Sequence, residues 1–73
     1  MAIKIIKSNL KEIMEEKGIT IKELSKISGI KIEELIRIEQ NDNIEELKTI
    51  AILALASVLN KEVKDIVEYE EEG

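Results

Sequence analysis

Thr20-Ile21-Lys22-Glu23-Leu24-Ser25-Lys26-Ile27-Ser28-Gly29-Ile30-Lys31-Ile32-Glu33-Glu34-Leu35-Ile36-Arg37-Ile38-Glu39-Gln40 carries the strongest local signals in this sequence. Thr20 and Glu23 have the spacing of a capping box, in which each side chain bonds the other's free backbone N–H. Ile19 and Leu24 flank that cap as a hydrophobic staple, which sets the angle at which the chain enters the helix. A helix is therefore expected over 21–28. Gly29 marks a tight turn, because glycine takes the left-handed conformation without steric cost. Ile30 and Leu35 repeat the staple spacing and open a further helix over 31–40. Leu24, Ile30, Leu35 and Ile38 form an apolar wedge between the two helices, and Ser25 is small where they approach. Two short helices in this arrangement describe a helix-turn-helix unit over 20–40.

Working outward, Ile6, Leu10, Ile13 and Met14 recur at three- and four-residue spacing, which predicts a helix over 5–17 stopped by Gly18. Downstream, Asn41-Asp42-Asn43 is the strongly loop-like cluster. Asn43 and Glu46 offer another cap, opening a helix over 44–59, and Asn60 can take the left-handed position that ends it. A short last helix over 63–67 runs into an acidic end, 68–73, read as frayed. No strand, internal repeat or linker is expected. The architecture is all-α, a single five-helix domain over 1–73, with Leu10, Ile13, Leu24, Ile30, Leu35, Ile38, Leu55 and Leu59 in one core.

The helix over 44–59 is unusual. Between Ile50 and Leu59 every residue except Ser57 is apolar, whereas an amphipathic surface helix needs only a stripe. A 73-residue chain has few neighbours with which to wrap such a helix. A second copy is expected to cover the surplus, at a dimer interface of Ile50, Ile52 and Leu53.

Composition removes most other functions. The sequence has no cysteine and no histidine, so disulfides, thiolate chemistry and the commonest general base and metal ligand are all missing. Carboxylates are plentiful, but a catalytic pair needs a pocket and a shifted pKa, and so short a chain offers little room for either. No enzyme, cofactor or metal site is expected. Tyr69 is the one aromatic residue, so stacking platforms for bases are absent as well. No run reaches 18 apolar residues and the start lacks a secretory signal, which points to a cytoplasmic protein without a membrane segment. Net charge is −5, unevenly spread. Residues 1–40 carry eight basic and seven acidic groups, and residues 41–73 carry three basic and nine acidic. Acid is thus concentrated away from the helix-turn-helix unit.

The run Asn9-Leu10-Lys11-Glu12-Ile13-Met14-Glu15-Glu16-Lys17-Gly18-Ile19-Thr20 resembles the first helix and turn of the phage-repressor and Cro-like (Xre-type) family. Glu23-Leu24-Ser25, Ser28-Gly29-Ile30 and Arg37-Ile38-Glu39 are similar to its later signatures. Leu55-Ala56-Ser57-Val58-Leu59-Asn60 and Val63-Lys64-Asp65-Ile66 are similar to its fourth-helix ending and final helix. The resemblance spans about residues 6–67. It implies a lambda-repressor-like fold and a DNA-binding transcriptional regulator, acting on double-stranded DNA as a homodimer. It places the helix over 31–40 in the major groove and the preceding one across the backbone. Base-facing positions would be Lys31, Ile32, Glu33, Ile36 and Arg37. Phosphate-facing ones would be Thr20, Ile21, Lys22, Lys26 and Asn41.

Two departures stand against that implication. Position 21 holds isoleucine where the family favours glutamine, and the reading helix begins Lys31-Ile32-Glu33-Glu34 with two carboxylates. One carboxylate can accept from cytosine's amino group, but two oppose phosphate binding. Ile21, Ile32 and Ile36 would make an apolar patch of the kind that meets protein. The alternative is a helix-turn-helix diverted to protein binding, as an antirepressor or assembly module, with its partner on the same helical face.

Overall fold

The computed structural model describes residues 2–72, in the order β1 (Ala2–Ser8), α1 (Leu10–Lys17), α2 (Ile21–Ser28), α3 (Ile32–Glu39), a short 3-10 turn (Ile44–Glu46), α4 (Thr49–Leu59), α5 (Val63–Ile66) and β2 (Val67–Glu72). Five α-helices form, as the pattern predicts, and the local signals of the central unit act as expected. The Thr20 hydroxyl accepts from the Glu23 N–H at 3.1 Å and Glu23 accepts from the Thr20 N–H at 3.0 Å. Gly18 and Gly29 end α1 and α2 with φ of 64° and 76°, a region costly to any residue with a Cβ. Leu10, Ile13, Leu24, Ile30, Leu35, Ile38, Leu55 and Leu59 are all buried in one cluster.

The all-α expectation is corrected by an antiparallel ribbon of the two chain ends. β1 pairs with β2 in a register that sets Ile3 opposite Glu71, Lys4 opposite Glu70, Ile5 opposite Tyr69, Lys7 opposite Glu68 and Ser8 opposite Val67. The first helix therefore starts at Leu10 rather than Ile5. The acidic end is not frayed as far as Glu72, and Gly73 lies outside the described residues. Alternating side chains point to opposite faces of a strand. Ile5 and Val67 enter the core, while Lys4, Lys7, Glu68 and Glu70 remain in solvent, with a 3.8 Å ion pair between Lys7 and Glu68. Ile6, expected on the buried face of a helix, falls at the irregularity between Ile5 and Lys7 and is exposed. A run of glutamates has low strand propensity by itself. Lysines roughly sixty positions away supply the opposite charge that makes it a good partner.

Three contacts lock the ribbon to the helices. The Asn9 N–H donates to the Ile66 carbonyl at 2.8 Å, joining the start of α1 to the end of α5. The Ser8 hydroxyl accepts from the Leu10 N–H at 3.0 Å, as a cap for α1. The Ser8 N–H in turn donates to Asn41 Oδ1 at 2.6 Å, which ties β1 to the loop after α3.

The expected 44–59 helix is broken. Asn43 has φ 51° rather than the extended conformation of an N-cap, so it does not start a helix. The chain makes one 3-10 turn, extends at Leu47 and Lys48, and begins α4 at Thr49. Ile44, Leu47, Ala51, Ile52, Leu55 and Leu59 keep helical spacing straight across the break, so the apolar pattern carries no trace of it. Ile52 needs a correction as well. It is only 4% exposed and belongs to the chain's own core, so it is not part of the surplus assigned to a second copy. Ile50 and Leu53 do lie outside the core.

Candidate nucleic-acid interface

α2 and α3 meet at Gly29, and their relative position is held by polar as well as apolar contacts. Ser25 Oγ donates to the Ile30 carbonyl at 2.6 Å, and the Ile30 N–H donates to Ser28 Oγ at 3.2 Å. Leu24, Ile30, Leu35 and Ile38 fill the space beneath. Since Leu35 and Ile38 face inward, the helical period turns Lys31, Ile32, Glu33, Ile36 and Arg37 outward, and all five are exposed. These are the five positions expected to face bases, and the fold presents them together along one side of α3.

Among the described residues the ion pairs are Lys7–Glu68, Lys61–Glu16 and Lys64–Glu62, which leaves Lys22, Lys26, Lys31 and Arg37 outside them. Ile21 is half-buried and packs against the core, so the expected patch of three isoleucines is reduced to Ile32 and Ile36. Ile27 on α2 is exposed too, a feature the sequence reading did not single out.

Two expected phosphate contacts have partners inside the chain. The Thr20 hydroxyl accepts from the Glu23 N–H and donates to Glu23 Oε1 at 3.0 Å, so its proton is committed to the cap. These bonds, from the Thr20 backbone N–H first and its hydroxyl second, hold the Glu23 carboxyl below its ordinary pKa against a small opposing effect of desolvation. Asn41 is exposed, but its side-chain oxygen accepts from Ser8, which leaves only its amide hydrogens for a ligand.

A groove of about 370 Å³ runs beside α3, lined by Lys31, Glu33, Glu34 and Arg37 on one side and Asp42, Glu46 and Lys48 on the other. Lys48 was not anticipated. It reaches the same groove as Arg37 because the chain extends between the 3-10 turn and α4, and no local pattern signals that placement. Acids outnumber bases in this groove, so the groove itself is not a phosphate trap. The cations suited to phosphate lie on its rim and on α2.

A capped helix, a glycine turn and a second helix with an outward-facing side define a helix-turn-helix DNA-binding domain. The chain belongs to the Cro/C1-type helix-turn-helix DNA-binding domain family, whose model matches residues 9–72. No curated protein matches the sequence closely enough to add to that assignment. Among the described residues no helix is long and apolar enough to cross a membrane.

Proposed function

We propose that this chain is a sequence-specific transcriptional regulator that binds double-stranded DNA as a homodimer, with α3 in the major groove and the start of α2 across the backbone. The observation that carries this reading is the exposed side of α3, where Arg37 and Lys31 stand outside any ion pair on a helix-turn-helix scaffold. Arg37 is the only arginine. Its planar fork can bond guanine bidentately, whereas lysine offers a point charge. Lys31, Ile32, Glu33 and Ile36 flank it and contribute shape, apolar contact and one carboxylate able to accept from cytosine.

Phosphate contacts come from Lys22 and Lys26, from the Asn41 amide, and from the first backbone N–H groups of α2, which have no partner within a helix. Thr20 supports this terminus by capping it rather than by donating its hydroxyl. A two-fold pair sets two α3 helices about 34 Å apart, one turn of DNA.

Titration of fluorescent genomic fragments at two salt concentrations tests the proposal. One fragment should bind well above the rest, with affinity falling steeply as salt rises. No binding of any fragment at low salt would sink it.

A further inference from the structure

The ribbon's charged face is settled by Lys4, Lys7, Glu68 and Glu70, which remain in solvent. Its other face is apolar and longer than the helical core beneath it. Ile5 and Val67 are buried, but Ile3 and Tyr69 continue the same face past the core and are 63% and 39% exposed. Opposite them stand the two residues of α4 that its neighbours fail to cover, Ile50 at 74% and Leu53 at 53%. Ile3, Leu53 and Tyr69, with Leu47 and Val63, line one groove of about 170 Å³. Strand and helix thus form two halves of one apolar shelf.

We propose that a second copy of this chain seats on that shelf, so that Ile50 and Leu53 of one copy pack against Ile3 and Tyr69 of the other about a two-fold axis. The proposal deepens the dimeric reading above and rests on it, but does not depend on DNA binding. Three observations favour a second copy. The shelf is self-complementary, since a two-fold brings each helical half onto a strand half, as an isologous contact requires. The four side chains expose on the order of 500 Å², the upper end of what monomers leave in one patch. Two such surfaces bury about 1,000 Å², the lower bound for a specific interface. Finally, a two-stranded ribbon is marginal in water without further packing on its apolar face. Pairing of two β2 edges is a poorer route, because it sets Glu68, Glu70 and Glu71 against their own copies.

Sedimentation equilibrium of the full chain at high micromolar concentration, without DNA, is the test. Wild type should show twice the chain mass. Ile3→Lys and Ile50→Lys should each weaken dimerisation at least about tenfold with helical circular dichroism retained, a change equivalent to about 1.4 kcal/mol. Ile50 is the more exposed of the two, so its replacement leaves the fold intact even if that of Ile3 does not. Ile27→Lys, on α2, should leave the mass unchanged. A wild-type monomer, assemblies larger than a dimer, or a dimer indifferent to both shelf lysines would each overturn the proposal. A monomer that still binds one DNA fragment specifically removes this interface and leaves the DNA-binding reading standing. A dimer that binds no fragment does the opposite.

Discussion

Ser25 and Ile30 are joined across the turn of the helix-turn-helix, the serine hydroxyl donating to the isoleucine carbonyl at 2.6 Å. The bond spans Gly29, the residue about which α2 and α3 change direction, so it sets the angle at which α3 is presented. Ser25→Ala leaves a carbonyl next to a buried side chain without its partner, and should cost about 1 kcal/mol in urea unfolding. An unchanged midpoint would show that packing of Leu24 on Leu35 and Ile38 holds the angle unaided.

Leu35 is fully buried in the wedge between α2 and α3. Leu35→Ala should cost ~2–5 kcal/mol, a large fraction of the roughly 5–15 kcal/mol that a small domain possesses. Thermal denaturation followed by circular dichroism measures this directly. An unaltered melting temperature would contradict the placement of Leu35 in the core.

Asn41 combines a left-handed backbone, φ 60°, with a side-chain oxygen bonded to the Ser8 N–H. Asn41→Ala removes the acceptor and also places a Cβ in a conformation that costs roughly 1–2 kcal/mol for ordinary residues. Asn41→Gly removes only the acceptor, and Asn41→Asp keeps an acceptor there. Stability should fall in the order Asp, Gly, Ala, and hydrogen exchange at the Ser8 amide should quicken in the last two. Equal loss in all three variants would mean that the bond to β1 contributes nothing.

Arg37 is exposed and outside any ion pair, so Arg37→Ala should leave the melting temperature nearly unchanged. It should also lower specific DNA affinity by ~1–3 kcal/mol, the discrimination carried by one bidentate base contact. Log affinity should fall by ~0.9 per neutralised phosphate for each tenfold rise in salt. Glu33→Gln should strengthen non-specific binding, because it removes a charge that repels the backbone. If Arg37→Ala leaves DNA affinity untouched, Arg37 is not a reader.

Glu23 gives the domain an acid sensitivity of known sign. Its carboxyl is held below the ordinary glutamate value of 4.5 by bonds from Thr20. A group depressed in the folded state contributes stability that is present above its unfolded pKa and lost as pH falls through its folded pKa. Wild type should therefore exceed Glu23→Gln in stability at neutral pH, with the gap closing below 4.5. Thermal melts of both proteins across that range supply the check, and a gap independent of pH would remove the charge from the account of the cap.

By itself the sequence determined the parts of the molecule whose causes are local. The Thr20–Glu23 box, the turns at Gly18 and Gly29 and the spacing of Leu24, Ile30, Leu35 and Ile38 each act within a few residues. The helix-turn-helix and its outward-facing positions on α3 were therefore legible. The tertiary structure alone decided the ribbon, the break before α4 and the placing of Ile52. β1 and β2 pair across nearly the whole chain, and neither Ile3-Lys4-Ile5 nor Glu68-Tyr69-Glu70 specifies a partner so far away. Asn43 turns left-handed while the apolar spacing from Ile44 to Leu59 runs on as if the helix were unbroken. An apolar face shows that a residue will be covered, but not by what. Ile52 is covered by its own chain, whereas Ile50 and Leu53 are left over only because the ribbon and α5 reach one side of α4 and not the other.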